Sequence, residues 1–153
     1  MVYVKLTTEN DNHNGYQYKE GLNFLNGEFN NEKVCGPGGL YFCREEDIGK
    51  WTFYNERKMH YIWDVKLLDD SKIVDMGDKL KTDKFILSNK RYIWDNEELC
   101  KLIVRQNPDA LKYVKINKSM ELSLIGISIS IGIGIGIGIG IGIGICSLFY
   151  KKK

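Results

Sequence analysis

The sequence predicts an α+β fold: a small, mostly antiparallel sheet with a short helix, then a helical pair, then a hydrophobic C-terminal segment. Three observations predict it. Through residues 1–94, short runs of alternating apolar and polar residues are separated by Asn, Gly and Pro turns. From Asp95 the apolar spacing changes to three and four, which is helical. Residues 122–150 then run for 29 positions without a charge. The chain therefore divides into an α+β module at 1–94, a helical pair at 95–118 and an Ile/Gly low-complexity segment at 122–150. Its 153 residues suffice for one compact core but not for two full domains and a linker.

Taken in order, Val2, Val4 and Leu6 alternate with Tyr3 and Lys5, which predicts a half-buried first strand with Lys5 on the polar side. Residues 8–15 form a polar loop ending in the strong turn signal Asn14-Gly15, and residues 15–18 pair as a strand before the Asn26-Gly27 turn. Cys35-Gly-Pro-Gly-Gly39 cannot continue a strand, and at least one of its glycines is expected at positive φ. Leu40 to Cys43 emerges from it as a buried strand. Glu45, Glu46 and Asp47 ahead of Ile48 and Trp51 suit the first turn of a short helix. Strands follow at 61–68, 73–74, 85–87 and 92–94. Asp95, three before Glu98, reads as a capping-box variant for a helix with Leu99, Leu102 and Ile103 as its apolar stripe. Asn107-Pro108 opens a second helix carrying Ala110, Leu111 and Val114.

The tail holds half of the chain's 16 glycines, and residues 131–145 are strict Ile-Gly alternation. As a helix, 29 residues extend about 43 Å against a hydrocarbon core of about 30 Å, enough to span with a tilt. Gly132, Gly136, Gly140 and Gly144 then repeat at GxxxG spacing, and Lys151 to Lys153 sit at one interface. As a strand, all the isoleucines share one face, a sheet-stacking pattern. The third reading is an appendage fixed by slippage of a short gene repeat. A spanning tail makes the protein a single-pass, C-terminally anchored membrane protein with its body in the cytosol, in contact with lipid through 122–150. The other readings leave it in the host cytoplasm.

Charge and cysteine content exclude some functions. The 22 basic and 20 acidic residues give +2, and three of the positives are the terminal lysines, so the body is near neutral. That argues against a nucleic-acid partner in spite of nine tyrosines and three tryptophans. The first eight residues lack the basic and apolar regions of a secretory signal, so the four cysteines are expected as free thiols in a reducing compartment. Cys43 and Cys100 read as small buried hydrophobes. Two histidines and no CxxC or HxxxH spacing predict no metal site. Phosphate-loop, nucleophile-elbow and zinc-protease motifs are missing as well.

Two resemblances add to this. Residues 2 to about 116, through Tyr3-Val-Lys-Leu-Thr7, His13-Asn-Gly-Tyr-Gln-Tyr18, Cys35 to Phe42 and Thr82-Asp-Lys-Phe-Ile-Leu-Ser88, resemble uncharacterised giant-virus proteins of the mimivirus type. There a similar module precedes ankyrin or other helical repeats, and residues 107–114 look like one unit of such repeats. Where those proteins continue into an array, this chain turns into the Ile-Gly tract, and one helical pair cannot build a solenoid. The resemblance implies an uncharacterised viral accessory protein and carries no activity with it; the reading taken from the residues is a non-catalytic interaction module with a protein partner and no cofactor.

The second resemblance is to the ADP-ribosyltransferase motif pattern: His13-x-Gly15, Gly39-Leu-Tyr-Phe42 and Asp83-Lys-Phe-Ile-Leu87. It implies NAD as cofactor, His13 holding its ribose, Tyr41 stacking on nicotinamide, and Asp83 where that family places a Glu. Asp83 is one methylene shorter, so this alternative reads as an NAD-binding enzyme or its inactive remnant. It requires His13, Tyr41 and Asp83 to line one pocket.

Overall fold

The computed structural model describes residues 1–54 and 57–115. The segment 122–150 lies outside the described residues. Among the described residues no helix is long and apolar enough to cross a membrane.

Eleven strands are described: β1 (Tyr3–Thr7), β2 (Asn12–His13), β3 (Tyr16–Gln17), β4 (Gly21–Phe24), β5 (Leu40–Arg44), β6 (Phe53–Tyr54), β7 (Arg57–Lys58), β8 (Tyr61–Lys66), β9 (Ile73–Asp75), β10 (Leu80–Thr82) and β11 (Lys84–Tyr92). Seven of them form one sheet in the order β4-β11-β8-β1-β5-β10-β9, antiparallel at every pairing. The pairs β2-β3 and β6-β7 are small separate hairpins. The helices are α1 (Ile48–Trp51), entered through a 3₁₀ turn at Glu45–Asp47, and α2 (Glu97–Gln106). The α+β class and the mostly antiparallel sheet are therefore as the sequence predicts.

Alternation along β1, β5 and β8 sorts their side chains onto two faces. Val4, Leu6, Cys43 and Ile62 face the helices and pack with Ile48, Leu99, Cys100 and Ile103. Phe42 and Trp63 point the other way, into a cluster with Tyr18, Leu40, Phe85 and Leu87. Both faces of the central strands are thus covered, which explains why Lys5 is only 5% exposed. The one-sided reading of β1 is corrected: its polar side is roofed by aromatic residues from the segment that follows it.

Other details differ from expectation. The strands expected at 85–87 and 92–94 are replaced by the single strand β11, which ends at Tyr92 before Ile93 and Trp94 and whose register with β8 shifts between Ser88 and Arg91, with Asn89 at φ 52°. The shift accommodates the break that the polar residues 88–91 suggest. The cap of α2 is Asn96, not Asp95; its side chain accepts the Leu99 N–H at 3.0 Å, leaving Glu97 and Glu98 in the first turn. The second helix is a 3₁₀ segment, Pro108–Tyr113, that ends where Val114 turns extended. Its Ala110 and Val114 bury in the same cluster as Val4. Gly49 of α1 packs so closely on α2 that its N–H donates to the Gln106 side chain at 2.7 Å.

Candidate functional site

The feature that creates the site is the seam between β1 and β5. The two strands pair only at Tyr3 with Arg44 and Val4 with Cys43. Beyond that, Lys5 to Thr7 stay with β8, while Leu40 to Phe42 stay with β10. The sheet splits there, and a cavity of about 740 Å³ opens in the split, lined by Lys5 and Leu6 on one side and by Leu40 to Cys43 on the other. This volume lies in the range of small-molecule sites.

Two loops complete its walls. The β2-β3 hairpin brings His13, and its turn is what Asn14-Gly15 predicts, with φ of 51° and 81° at the two residues. The hairpin is held at its base, where Asp11 accepts from Thr7 Oγ1 at 2.6 Å and from Lys90 Nζ at 2.5 Å. The Cys35–Gly39 loop forms a second wall. Tyr41 fixes it, its hydroxyl accepting the Gly36 N–H at 2.9 Å and donating to the Gly36 carbonyl at 2.7 Å. Gly38 lies at φ 91°, and a β-carbon there would come within 2.8 Å of Asn30 Cβ, so glycine is required as the loop sequence predicts.

His13 and Tyr41 line this one cavity. Asp83 does not line it. It borders a second cavity of about 440 Å³ with Glu28, Lys72 and Lys84, and its carboxylate accepts the Lys72 N–H at 2.8 Å. Asp83 stands at the corner from β10 into β11, where its carbonyl also accepts the Leu25 N–H at 2.7 Å.

The larger cavity holds chemistry that motif reading missed. Lys5 extends across the split, donating to the Tyr41 carbonyl at 2.8 Å with its ammonium 4.3 Å from the centre of the Tyr18 ring. Lys79 lies 4.4 Å from the Trp51 ring centre and 5.5 Å from that of Tyr41. Trp51, its indole N–H bound to the Asp78 carbonyl at 2.9 Å, and Tyr54, 5.7 Å from the His13 ring, supply further aromatic wall. No Asp or Glu among the described residues lines the cavity.

Burial sets the protonation states. It pushes the Lys5 ammonium down to about 8, with the Cys43 thiol opposing weakly. It pushes His13 down to about 4, helped by the positive charges of Lys5 and Arg57. The Cys43 thiol is pushed up to about 12, and Tyr18 is raised as well, both mainly by desolvation. At neutral pH the cleft therefore presents the neutral imidazole of His13, the neutral thiol of Cys43 and the neutral phenol of Tyr18 around the Lys5 ammonium. It can bind an anion and a flat ring, and among the described residues it holds no general acid-base pair of carboxylates.

Comparison with known proteins gives this chain relatives but no template. No protein-family model matches, and no solved structure matches. An uncharacterized protein of Acanthamoeba polyphaga mimivirus is 33% identical over 96 residues, covering 61% of this chain and 70% of that protein. A putative ankyrin repeat protein of the same virus is 32% identical over 103 residues, covering 63% of this chain and 49% of its own length. Another putative ankyrin repeat protein of that virus is 38% identical over 53 residues, covering 34% of this chain and 16% of the relative. The chain belongs to this family of mimivirus proteins. It spans about half or less of its ankyrin-repeat relatives.

Proposed function

We propose that the body is a non-catalytic interaction module of a viral accessory protein, and that its cleft holds a ligand without transforming it. The observation that carries this reading is the lining of the cavity: aromatic rings, His13 and two lysines, with no carboxylate among the described residues. The rings and ammonium groups of this lining supply the shape and complementary charge that a binding site needs. Protein partners and, through residues 122–150, membrane lipid belong to the same proposal. The uncharged length of 29 residues supports the anchor. Fractionation of full-length protein and of a chain ending at Lys118 tests it: the anchor reading expects only the full-length protein in the membrane pool.

A second reading is favoured by one specific observation, the meeting of His13 and Tyr41 in the larger cavity. It makes the module an ADP-ribosyltransferase-like NAD-binding protein. Asp83 on the other cavity supports the inactive form of that reading. Incubation of the full-length protein with NAD, followed for released nicotinamide, separates the two: the non-catalytic reading expects none above background. Release that disappears in Tyr41→Ala would establish catalysis instead.

A further inference from the structure

We propose that the split between β1 and β5 is a site for a phosphate carried on a flat aromatic ring, with the Lys5 ammonium as the buried anchor of the phosphate. This rests on the reading of the cleft as a binding site and adds the class of ligand.

The argument starts from an uncompensated charge. Lys5 is 5% exposed, and among the described residues no carboxylate meets its ammonium. Its partners are a carbonyl and a ring face, neither of which carries a negative charge. The titratable groups facing it are His13 on β2, Tyr18 after β3 and Cys43 on β5, and all three are neutral at pH 7. A buried cation without a counter-ion is costly, and a protein with no other use for it is better served by an apolar residue of that size. An anion supplied from outside completes the arrangement, and the cavity that Lys5 lines gives it access.

The rest of the lining selects what carries the anion. Lys79 adds a second positive charge beside Trp51 and Tyr41. Aromatic walls favour a ligand with a flat ring. A volume of about 740 Å³ accommodates a ring, a sugar-sized spacer and a phosphate together. Phosphate suits the pair of lysines because it remains largely dianionic above pH 7.

Calorimetric titration of the full-length protein with AMP, adenosine and inorganic phosphate tests the proposal. AMP is expected to bind, and adenosine and phosphate to bind about tenfold more weakly or worse, since each lacks half of the recognised chemistry. Lys5→Met is expected to weaken AMP by about tenfold or more. In the unmodified protein AMP affinity should fall about tenfold between pH 7 and 9 as Lys5 loses its proton. That pH profile keeps the test decisive even if Lys5→Met folds poorly. Equal binding of AMP and adenosine, an affinity flat from pH 7 to 9, or no AMP binding would overturn the Lys5 anchor. Equal binding would still leave the cleft a binding site. AMP binding accompanied by turnover would instead overturn the non-catalytic reading and leave the anchor standing.

Discussion

The two ends of the β1/β5 seam are built from the same pair of strands and behave oppositely. At the closed end, Val4 and Cys43 lie side by side over the helices, and Arg44 clamps the β9 edge through the Asp75 carboxylate and the Gly77 carbonyl. At the open end the ladder stops, and a lysine side chain, not a backbone amide, reaches the Tyr41 carbonyl. The closed end buries apolar surface and stabilises the fold. The open end buries a charge and works against it. That contrast, a buried charge where the ladder stops, is the observation on which the proposed site rests.

The largest effect expected is a break of the apolar cluster that the closed end shares with β8. Ile62, fully buried opposite Leu6, packs with Val4 and Cys43, so Ile62→Ala should cost about 3 kcal/mol in urea unfolding through lost burial and the cavity left behind. The same measurement on Lys5→Met should move in the other direction. Lys5 titrates near 8 in the folded chain against an ordinary 10.5, so its charge opposes folding below about pH 8, by on the order of 3 kcal/mol. The penalty fades as pH rises from 8 to 10.5. Lys5→Met is therefore expected to be more stable than the parent at pH 6, with the difference shrinking toward pH 10.5. A loss of stability at pH 6 would mean that the lysine is satisfied where it is.

A smaller loss is expected at the cleft wall. Gly38→Ala should destabilise by about 1 kcal/mol or more, from its φ of 91° and its contact with Asn30, and should loosen the loop that Tyr41 holds. The smallest concerns the clamp: Asp75 is half exposed and screened by solvent, so Asp75→Asn should lower stability least of these variants in urea unfolding, and less still in high salt. The Gly77 N–H, and after it the Arg44 ion pair, hold the Asp75 carboxyl below its usual range, so this contribution is present at neutral pH and is lost as pH falls through that lowered value.

These contrasts also explain what the sequence made legible. Turn chemistry is local, so Asn14-Gly15 and the Gly38 bend follow from residue type alone. The acids before Ile48 likewise announce the entry into α1. The split of the seam is not local: nothing in Lys5-Leu-Thr7 or Leu40-Tyr-Phe42 says that these stretches part after pairing at Val4 and Cys43. Lys5 was misplaced because alternation is read on the assumption that one face is wet, and here Tyr18 and Trp63 cover the second face. Pro108 announces a helix start but not its length, and the chain turns extended at Val114 before an α-helix develops. For Asp83, order along the chain put it near His13 and Tyr41, whereas the β10-β11 corner carries it to a separate cavity.

The account depends on Lys5 being a buried ammonium in the open half of the seam. Carbon-13 NMR of the lysine side chains, with the Lys5 signal assigned by its loss in Lys5→Met, measures this directly across pH 6 to 12. A titration midpoint near 8 is the result predicted. A midpoint near the ordinary 10.5 would mean a solvated amine on a closed sheet, and would contradict both the split and the anchor.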